Sequence, residues 1–211
     1  MTTTFPDVSI STERLVLRPF EDADIPAYTE MMNDDLVAAW TSAPLPYTSG
    51  DAYDWVRRIA PAQRTRGDGI ALAVTEFLTQ RLVGTIRLRN TNWHTLATEI
   101  SYVTAPWARG EGYATESVLA VAKWLFRNQK FERMELRTPA DNTASQQVAQ
   151  KVGGISEGVL RNAWIARFQT DAGDWVDMRT DLIVWSLLPE DLEGGTDEMA
   201  QFGYASFNEL N

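Results

Sequence analysis

Hydrophobic and polar positions along this chain follow two periods, one near two residues and one near 3.6. Arg14-Leu-Val-Leu-Arg-Pro19 alternates and predicts a strand ended by Pro19. Glu21-Asp-Ala-Asp24 places acids in the first turn of a predicted helix that runs to about Asn33. Leu36–Trp40 adds a short helical piece, and Ala43-Pro-Leu-Pro-Tyr47 reads as loop. Thr48 or Ser49 can cap a helix through about Arg64, with Trp55, Ile59 and Ala62 on one stripe, and Gly67-Asp-Gly69 breaks it. Three strands follow, at about Ile70–Phe77, Arg81–Arg89 and Thr95–Val103. Their connections are short enough for antiparallel hairpins. Ala114–Arg127 carries Val118, Val121, Ala122, Leu125 and Phe126 at helical spacing, the strongest such stripe in the chain. Met134–Arg137 is a short strand. Asn142–Val152 is a helix capped by Asp141 or Asn142 and stopped by Gly153-Gly154. Gly158–Arg167 and Val176–Leu187 pair across Asp171-Ala-Gly-Asp174.

The order β-α-α-βββ-α-β-α-ββ predicts an α/β fold, a mixed and mostly antiparallel sheet with helices on both faces. No internal repeat or low-complexity stretch interrupts it. With 211 residues, one domain over residues 1–188 is expected, followed by an extension over 189–211. The absence of cysteine excludes disulfides, thiolate metal sites and a thiol nucleophile, and a single histidine, His94, cannot build a multi-histidine metal site. The net charge of −10 argues against nucleic acid as a partner. No targeting or membrane-spanning segment is read in the sequence, so a cytoplasmic protein with no membrane partner is expected.

The most informative residues are Pro106-Trp-Ala-Arg109-Gly110-Glu-Gly112-Tyr-Ala114-Thr115, between a predicted strand and the strongest helix. A glycine-rich turn at a helix N-terminus gathers free backbone N–H groups at the positive end of the helix dipole, a site for phosphate oxygens. Gly110 and Gly112 let the backbone approach the anion, Ala114 is small for the same reason, and Arg109 adds a charged donor. No Lys-Ser or Lys-Thr pair completes a Walker loop, and Thr115 stands where a dinucleotide fingerprint has its third glycine. A glycine turn with no ligand is the alternative.

Arg109-x-x-Gly112-x-Ala114 after a strand resembles the pyrophosphate loop of the GNAT superfamily of acetyltransferases. Thr12-Glu-Arg-Leu-Val-Leu-Arg-Pro19, Glu99-Ile-Ser-Tyr-Val103, Gly110-Glu-Gly-Tyr-Ala-Thr-Glu116, Asp141-Asn-Thr-Ala-Ser145, Lys151-Val-Gly153 and Glu157-Gly-Val-Leu-Arg161 together resemble the branch of ribosomal-protein-alanine N-acetyltransferases, the RimJ/RimL-like proteins. The resemblance covers about residues 10–188. It implies the acyl-CoA N-acyltransferase fold and direct acetyl transfer from acetyl-CoA, a co-substrate, to an amine, with no metal. It also implies that Ser101, Tyr102, Val103, Arg109, Gly110, Glu111, Gly112, Tyr113, Ala114, Thr115, Asn142, Ser145 and Lys151 hold the cofactor.

Such transfer needs a neutral amine, a positioned thioester, an oxyanion donor and a proton for the leaving thiolate. A peptide α-amine titrates near ~8 and a lysine near ~10.4, so a general base helps at neutral pH. Glu99 is the candidate base. It lies on the strand entering the loop, at a position where the branch often carries a carboxylate, and strand alternation puts it with Ala97, Ser101 and Val103, opposite Leu96, Thr98, Ile100 and Tyr102. A solvated strand glutamate is the alternative. Many members of the superfamily place a tyrosine two residues before the lysine of the following helix; here that residue is Ala149. The branch instead implies Ser145 as the group that meets the leaving sulfur, one helical turn after Asn142. The oxyanion donor is expected from a backbone N–H near Val103, where the family's central strand splays.

His94 reads as a hairpin-loop residue with a solvated or packing role, and substrate contact or proton shuttling is the alternative. Trp55, Trp124 and Trp185 read as core, whereas Trp40, Trp93 and Trp164 could line an amine pocket. Arg57, Arg58, Arg64 and Arg66 read as a solvated helix face, and a contact with the cofactor's adenosine phosphate is the alternative. The acidic body favours a cationic acceptor by long-range attraction: a protein or peptide N-terminus, a polyamine, or an aminoglycoside or other amino-bearing antibiotic. A non-catalytic acyl-CoA-binding module is the rival reading. Residues 189–211 carry six acids and no base, interleaved with Phe202, Tyr204, Phe207 and Leu210. This segment either folds back, docks on the partner of a homodimer, or extends freely.

Overall fold

A computed structural model describes residues 4–193. The readings of Phe202, Tyr204, Phe207 and Leu210 therefore lie outside the described residues. Eight strands form one sheet in the order β1-β2-β3-β4-β5-β6-β8-β7. They are β1 (Ile10–Ser11), β2 (Leu15–Arg18), β3 (Ile70–Glu76), β4 (Leu82–Asn92), β5 (Ala97–Thr104), β6 (Arg133–Pro139), β7 (Ile155–Gln169) and β8 (Trp175–Leu187). Every neighbouring pair is antiparallel except β5 and β6. This is the mixed, mostly antiparallel sheet that the sequence predicts. Strand β1 was not anticipated, because two residues carry no periodicity.

The predicted helices form with small shifts of boundary. A turn of 3₁₀ helix at Asp22–Asp24 leads into α1 (Ile25–Met32), and α2 (Asp35–Trp40) follows. Thr48 caps α3 (Ser49–Asp54): its hydroxyl accepts from the Asp51 N–H, and the Asp51 carboxylate accepts from the Thr48 N–H. The helix continues as α4 (Ala60–Arg66) and ends at Gly67 in the left-handed conformation. Between α3 and α4 the sequence predicts unbroken α-helix, whereas residues Trp55–Ile59 form a π-turn in which the Ala60 N–H donates to the Trp55 carbonyl. Pro61 supplies the reason. It has no N–H for the Arg57 carbonyl four residues back, and its ring crowds that carbonyl, so the ladder slips by one residue.

The opposite face carries α5 (Tyr113–Asn128) and α6 (Thr143–Lys151). The predicted stripe of α5 is the buried one: Val118, Val121, Ala122 and Leu125 are almost fully covered, with Ile86, Leu88, Ile100, Met134 and Leu136 of the sheet in the same core. Each large aliphatic side chain buried there contributes ~1.5–3 kcal/mol. Asn142 caps α6, accepting from the Ser145 N–H at 3.0 Å. A short α7 (Pro189–Glu193) begins the C-terminal segment, and Leu192 packs against the core. No described helix is long and apolar enough to cross a membrane.

The feature that positions the site is a split in the sheet. Strands β5 and β6 pair in parallel only from Ala97↔Arg133 to Ile100↔Leu136, yet β5 runs on to Thr104 and β6 to Pro139. Their C-terminal ends diverge. Residues 101–104 therefore keep β4 on one side and face a gap on the other.

Candidate acetyl-transfer site

The ladder between β4 and β5 fixes which backbone groups face the gap. The Ala105 N–H donates to the Val83 carbonyl at 2.9 Å. The register is unbroken from there to Arg89↔Glu99. Residues 105, 103, 101 and 99 therefore direct their N–H and C=O toward β4, and Tyr102 and Thr104 direct theirs into the gap. Two N–H donors beside Val103 thus point where an oxyanion would need them; that of Val103 itself belongs to the ladder.

The glycine loop lies just beyond. Gly110 and Gly112 have φ of +84° and +79°, and Gly112 is the N-cap of the 16-residue α5. Arg14, from β2's approach, braces this turn. Its guanidinium donates to the Glu111 carbonyl at 3.1 Å and to Glu116 at 2.7 Å, and stacks 4.8 Å over the Tyr113 ring. Burial would raise the Glu116 carboxyl, but hydrogen bonds from Thr12 and Arg14 outweigh it and hold the group below the usual carboxylate range. Arg109, expected to face a phosphate, forms an ion pair with Asp34, the N-cap of α2. Glu111 is exposed, Thr115 is half-buried in the first turn of α5, and Lys151 is exposed at the end of α6. Thr85, Tyr102, Val103, Tyr113, Ala114 and Ser117 line a narrow cavity between the loop and β5. At Gly84, an added Cβ would stand 2.5 Å from the Val103 carbonyl oxygen, so only glycine allows β4 this close to the end of β5.

The two faces beside the gap carry different chemistry. On the α5–α6 face, the Tyr102 hydroxyl lies 3.0 Å from Ser145 Oγ and donates to the Ser145 carbonyl at 3.1 Å. Burial raises the Tyr102 phenol to about 12, although the Ser145 hydrogen bond pulls the other way, so it stays protonated at neutral pH. Sequence analysis placed both residues at the cofactor but missed the contact. The position two before Lys151 is a fully buried Ala149, and a phenol reaches Ser145 from β5 instead.

On the opposite face Glu99 is 4% exposed, buried rather than a solvated strand residue. Its Oε1 accepts from Arg89 Nε at 2.8 Å, its Oε2 accepts from Asn90 at 2.9 Å, and Arg137 Nε lies 3.8 Å away. Ser101 and Val103 share this face, as alternation predicts; Leu96 does not belong to β5 and has a positive φ of 52°. The π-turn sets Trp55 over this face, 5.1 Å from the Arg87 guanidinium, and Trp55 stacks on Tyr28 at 6.3 Å. Trp55 thus packs against the core, as expected, and also faces Arg87. Trp93 packs in an aromatic cluster with Phe5 and Phe131, its Nε1 donating to the Gly67 carbonyl, so it lines no pocket. Trp40 packs edge-on against Phe168, and His94 is exposed at the β4–β5 hairpin. Arg57, Arg58, Arg64 and Arg66 each sit beside an acid, as a solvated helix face should.

A sheet split at its centre, with a glycine-rich helix N-terminus at the mouth of the split, defines an acetyl-CoA-dependent N-acetyltransferase. The chain belongs to the acetyltransferase (GNAT) domain family, whose profile matches residues 14–155. It is 27% identical over 157 residues to the uncharacterized N-acetyltransferase YoaA of Bacillus subtilis (strain 168), covering 72% of this chain and 85% of the relative. Among solved structures, the ribosomal-protein-S5-alanine acetyltransferase of Vibrio fischeri superposes with a TM-score of 0.71 at 19% identity, covering 88% of this chain and 99% of that one. Mycobacterium smegmatis RimJ, solved with CoA-disulfide, gives a TM-score of 0.72 at 19% identity, covering 88% and 90%. The family supports an acetyl-CoA-dependent N-acetyltransferase over the rival of a non-catalytic acyl-CoA module. The residues present fit acetyl-CoA: the gap, its two inward N–H groups and the glycine turn form a cradle; a side chain at Gly112 would strain the turn, and one at Gly84 would push β4 from the end of β5.

Proposed function

We propose that residues 1–188 transfer an acetyl group directly to a primary amine, the α-amine of a peptide or protein, with both substrates bound together across the split between β5 and β6. Bound acetyl-CoA supplies an activated thioester. The observation that carries this reading is the gap itself, flanked by a hydroxyl pair on one face and a buried carboxylate on the other. The loop N–H groups at Gly110 and Gly112 hold the pyrophosphate, and Asn142 and Ser145 hold the pantetheine arm. The Tyr102 and Thr104 N–H groups stabilise charge on the carbonyl oxygen.

Glu99 acts as the general base. Arg89 donates twice to Oε1 and Asn90 once to Oε2, so of the carboxylate's about four lone-pair sites the one left open is on Oε2. It can therefore accept the amine's proton through one water. Ser145 donates its hydroxyl proton toward the departing sulfur, the Tyr102 phenol 3.0 Å away turns its proton from the Ser145 carbonyl to Oγ, and water returns a proton to the phenol before the next turnover. The carbon–nitrogen bond forms as the carbon–sulfur bond breaks, and CoA leaves as the thiol.

The test is a panel of N-terminal peptides, polyamines and aminoglycosides incubated with acetyl-CoA and read by a mass gain of one acetyl group together with thiol release. Acetylation of peptide α-amines supports the proposal. Release confined to aminoglycosides reassigns the acceptor, and no release with any amine removes it.

A further inference from the structure

Arg87 stands apart from every other charge beside the gap. Among the described residues it makes no ion pair, and its Nε is buried without a hydrogen-bond partner. Its neighbour on the same strand face, Arg89, is paired with Glu99, so the two arginines receive opposite treatment. Burial lowers the Arg87 pKa, and the like charge of Arg89 lowers it further. A guanidinium stays charged at neutral pH even so, and burying it unpaired is costly.

The place is as informative as the missing partner. Arg87 lies directly across from Ser101, the first β5 residue beyond the last β5–β6 pair at Ile100↔Leu136. It therefore sits one strand away from the gap, level with the point where β5 and β6 part, on the Glu99 face and away from α5 and α6. Trp55 covers the flat face of the guanidinium, 5.1 Å from its centre, which leaves the donor-bearing edge for something else. The Trp55 Nε1 is also buried and unpartnered. Guanidinium and indole nitrogens can only donate. Two orphaned donors on stacked groups, with no acceptor supplied by the described chain, match a ligand made of acceptor oxygens.

We propose that the acceptor is a primary amine that also carries an oxyanion, a carboxylate or a phosphate, and that Arg87 with Trp55 binds that oxyanion while Glu99 serves the amine. This rests on the transferase reading above and narrows it. Arg87 and Glu99 are diagonal neighbours across β4 and β5, a spacing of ~7–8 Å, so the anion lies within a few bonds of the amine, as in a peptide whose first or second side chain is acidic. The reading reverses the expectation of a cationic acceptor. Net acidity acts at long range and is screened by salt, whereas Arg87, with no counter-ion among the described residues, presents positive charge beside the place where the acceptor must sit, and would repel a polyamine.

Matched peptide pairs test it: Ser-Asp against Ser-Asn at the N-terminus for the carboxylate, Ala-phosphoserine against Ala-Ser for the phosphate, with spermidine as the polycation. In the wild type the acidic member of at least one pair is expected to show a kcat/KM at least tenfold above its neutral partner. Which pair responds identifies the oxyanion. In Arg87→Gln the ratio falls to about one, mostly through KM of the acidic peptide. The unliganded protein gives a second readout. Arg87→Met removes a charge that lacks a counter-ion and raises Tm, whereas an Arg87 that served only to stack on Trp55 would lower it. Equal use of acidic and neutral partners by the wild type overturns this inference and leaves the transferase reading standing, as does an unchanged ratio in Arg87→Gln. Thiol release with no amine at all removes both.

Discussion

The two faces of the sheet beside the β5–β6 gap hold their polar groups in opposite ways. On the α5–α6 face every actor is satisfied close to home: Asn142 caps its helix, Tyr102 meets Ser145, and Arg14 braces the glycine turn. On the α1–α4 face the charges are buried or half-buried and unevenly matched. Glu99 has three cationic or amide partners, while Arg87 has no ion-pair partner among the described residues. A face built to hold a ligand common to a whole family can be finished by backbone and short-range bonds. A face that must recognise a particular acceptor keeps a group waiting for it, at a cost in stability.

The sharpest way to break this comparison is Glu99→Gln. Loss of a positioned base is expected to lower kcat by ~10²–10⁴-fold and flatten the acid limb of the pH–rate profile. The same change leaves Arg89 and Arg137 without their shared carboxylate, so Glu99→Ala should also cost about 3 kcal/mol in a denaturation curve. Unchanged turnover and pH profile in Glu99→Gln would make the carboxylate purely structural, and the two faces alike.

Ser145→Ala probes the other face. Single-turnover acetyl transfer should slow by ~10–100-fold, with Tyr102→Phe showing a smaller loss in the same direction. If the two losses simply multiply in the double variant, the hydroxyls act independently and the pair is not a relay. Gly84→Ala tests the approach of β4 to the gap. Its Cβ would overlap the Val103 carbonyl, so a loss of ~1–3 kcal/mol and a raised KM for acetyl-CoA are expected.

The smallest effect is alkaline. The Tyr102 phenol titrates at about 12 in the folded chain against about 10 when unfolded. Its contribution to stability is therefore complete below pH 10 and is lost as pH rises toward 12. Tyr28 and Tyr47 are raised by burial in the same sense. Tm should fall above pH 10, and slightly less steeply in Tyr102→Phe.

Much of this was legible in the chain. The period-two runs and the stripe of α5 predicted the sheet and its helices because backbone geometry repeats locally. The block Gly110-Glu-Gly-Tyr-Ala114 announced an anion-binding turn because positive φ and close approach demand glycine at those positions. Glu99 and Ser145 were picked out individually by their places on a strand and in a first helical turn. The π-turn was open to inference from Pro61, since the missing N–H is a sequence fact, but the stripe through Trp55 and Ile59 obscured it.

What the sequence alone determined was therefore the order of elements, the glycine turn and the family, all carried by neighbours within a few residues. Tertiary structure alone decided the rest. It joined Tyr102 to Ser145 across 43 positions, turned Arg109 onto Asp34, closed Arg89 on Glu99 and left Arg87 without a counter-ion under Trp55. The physical reason is that a charge acquires its chemical role from the low-dielectric surroundings and partners that folding gives it. Those partners come from strands and helices far apart in the chain, and no local pattern records which of two arginines will be paired.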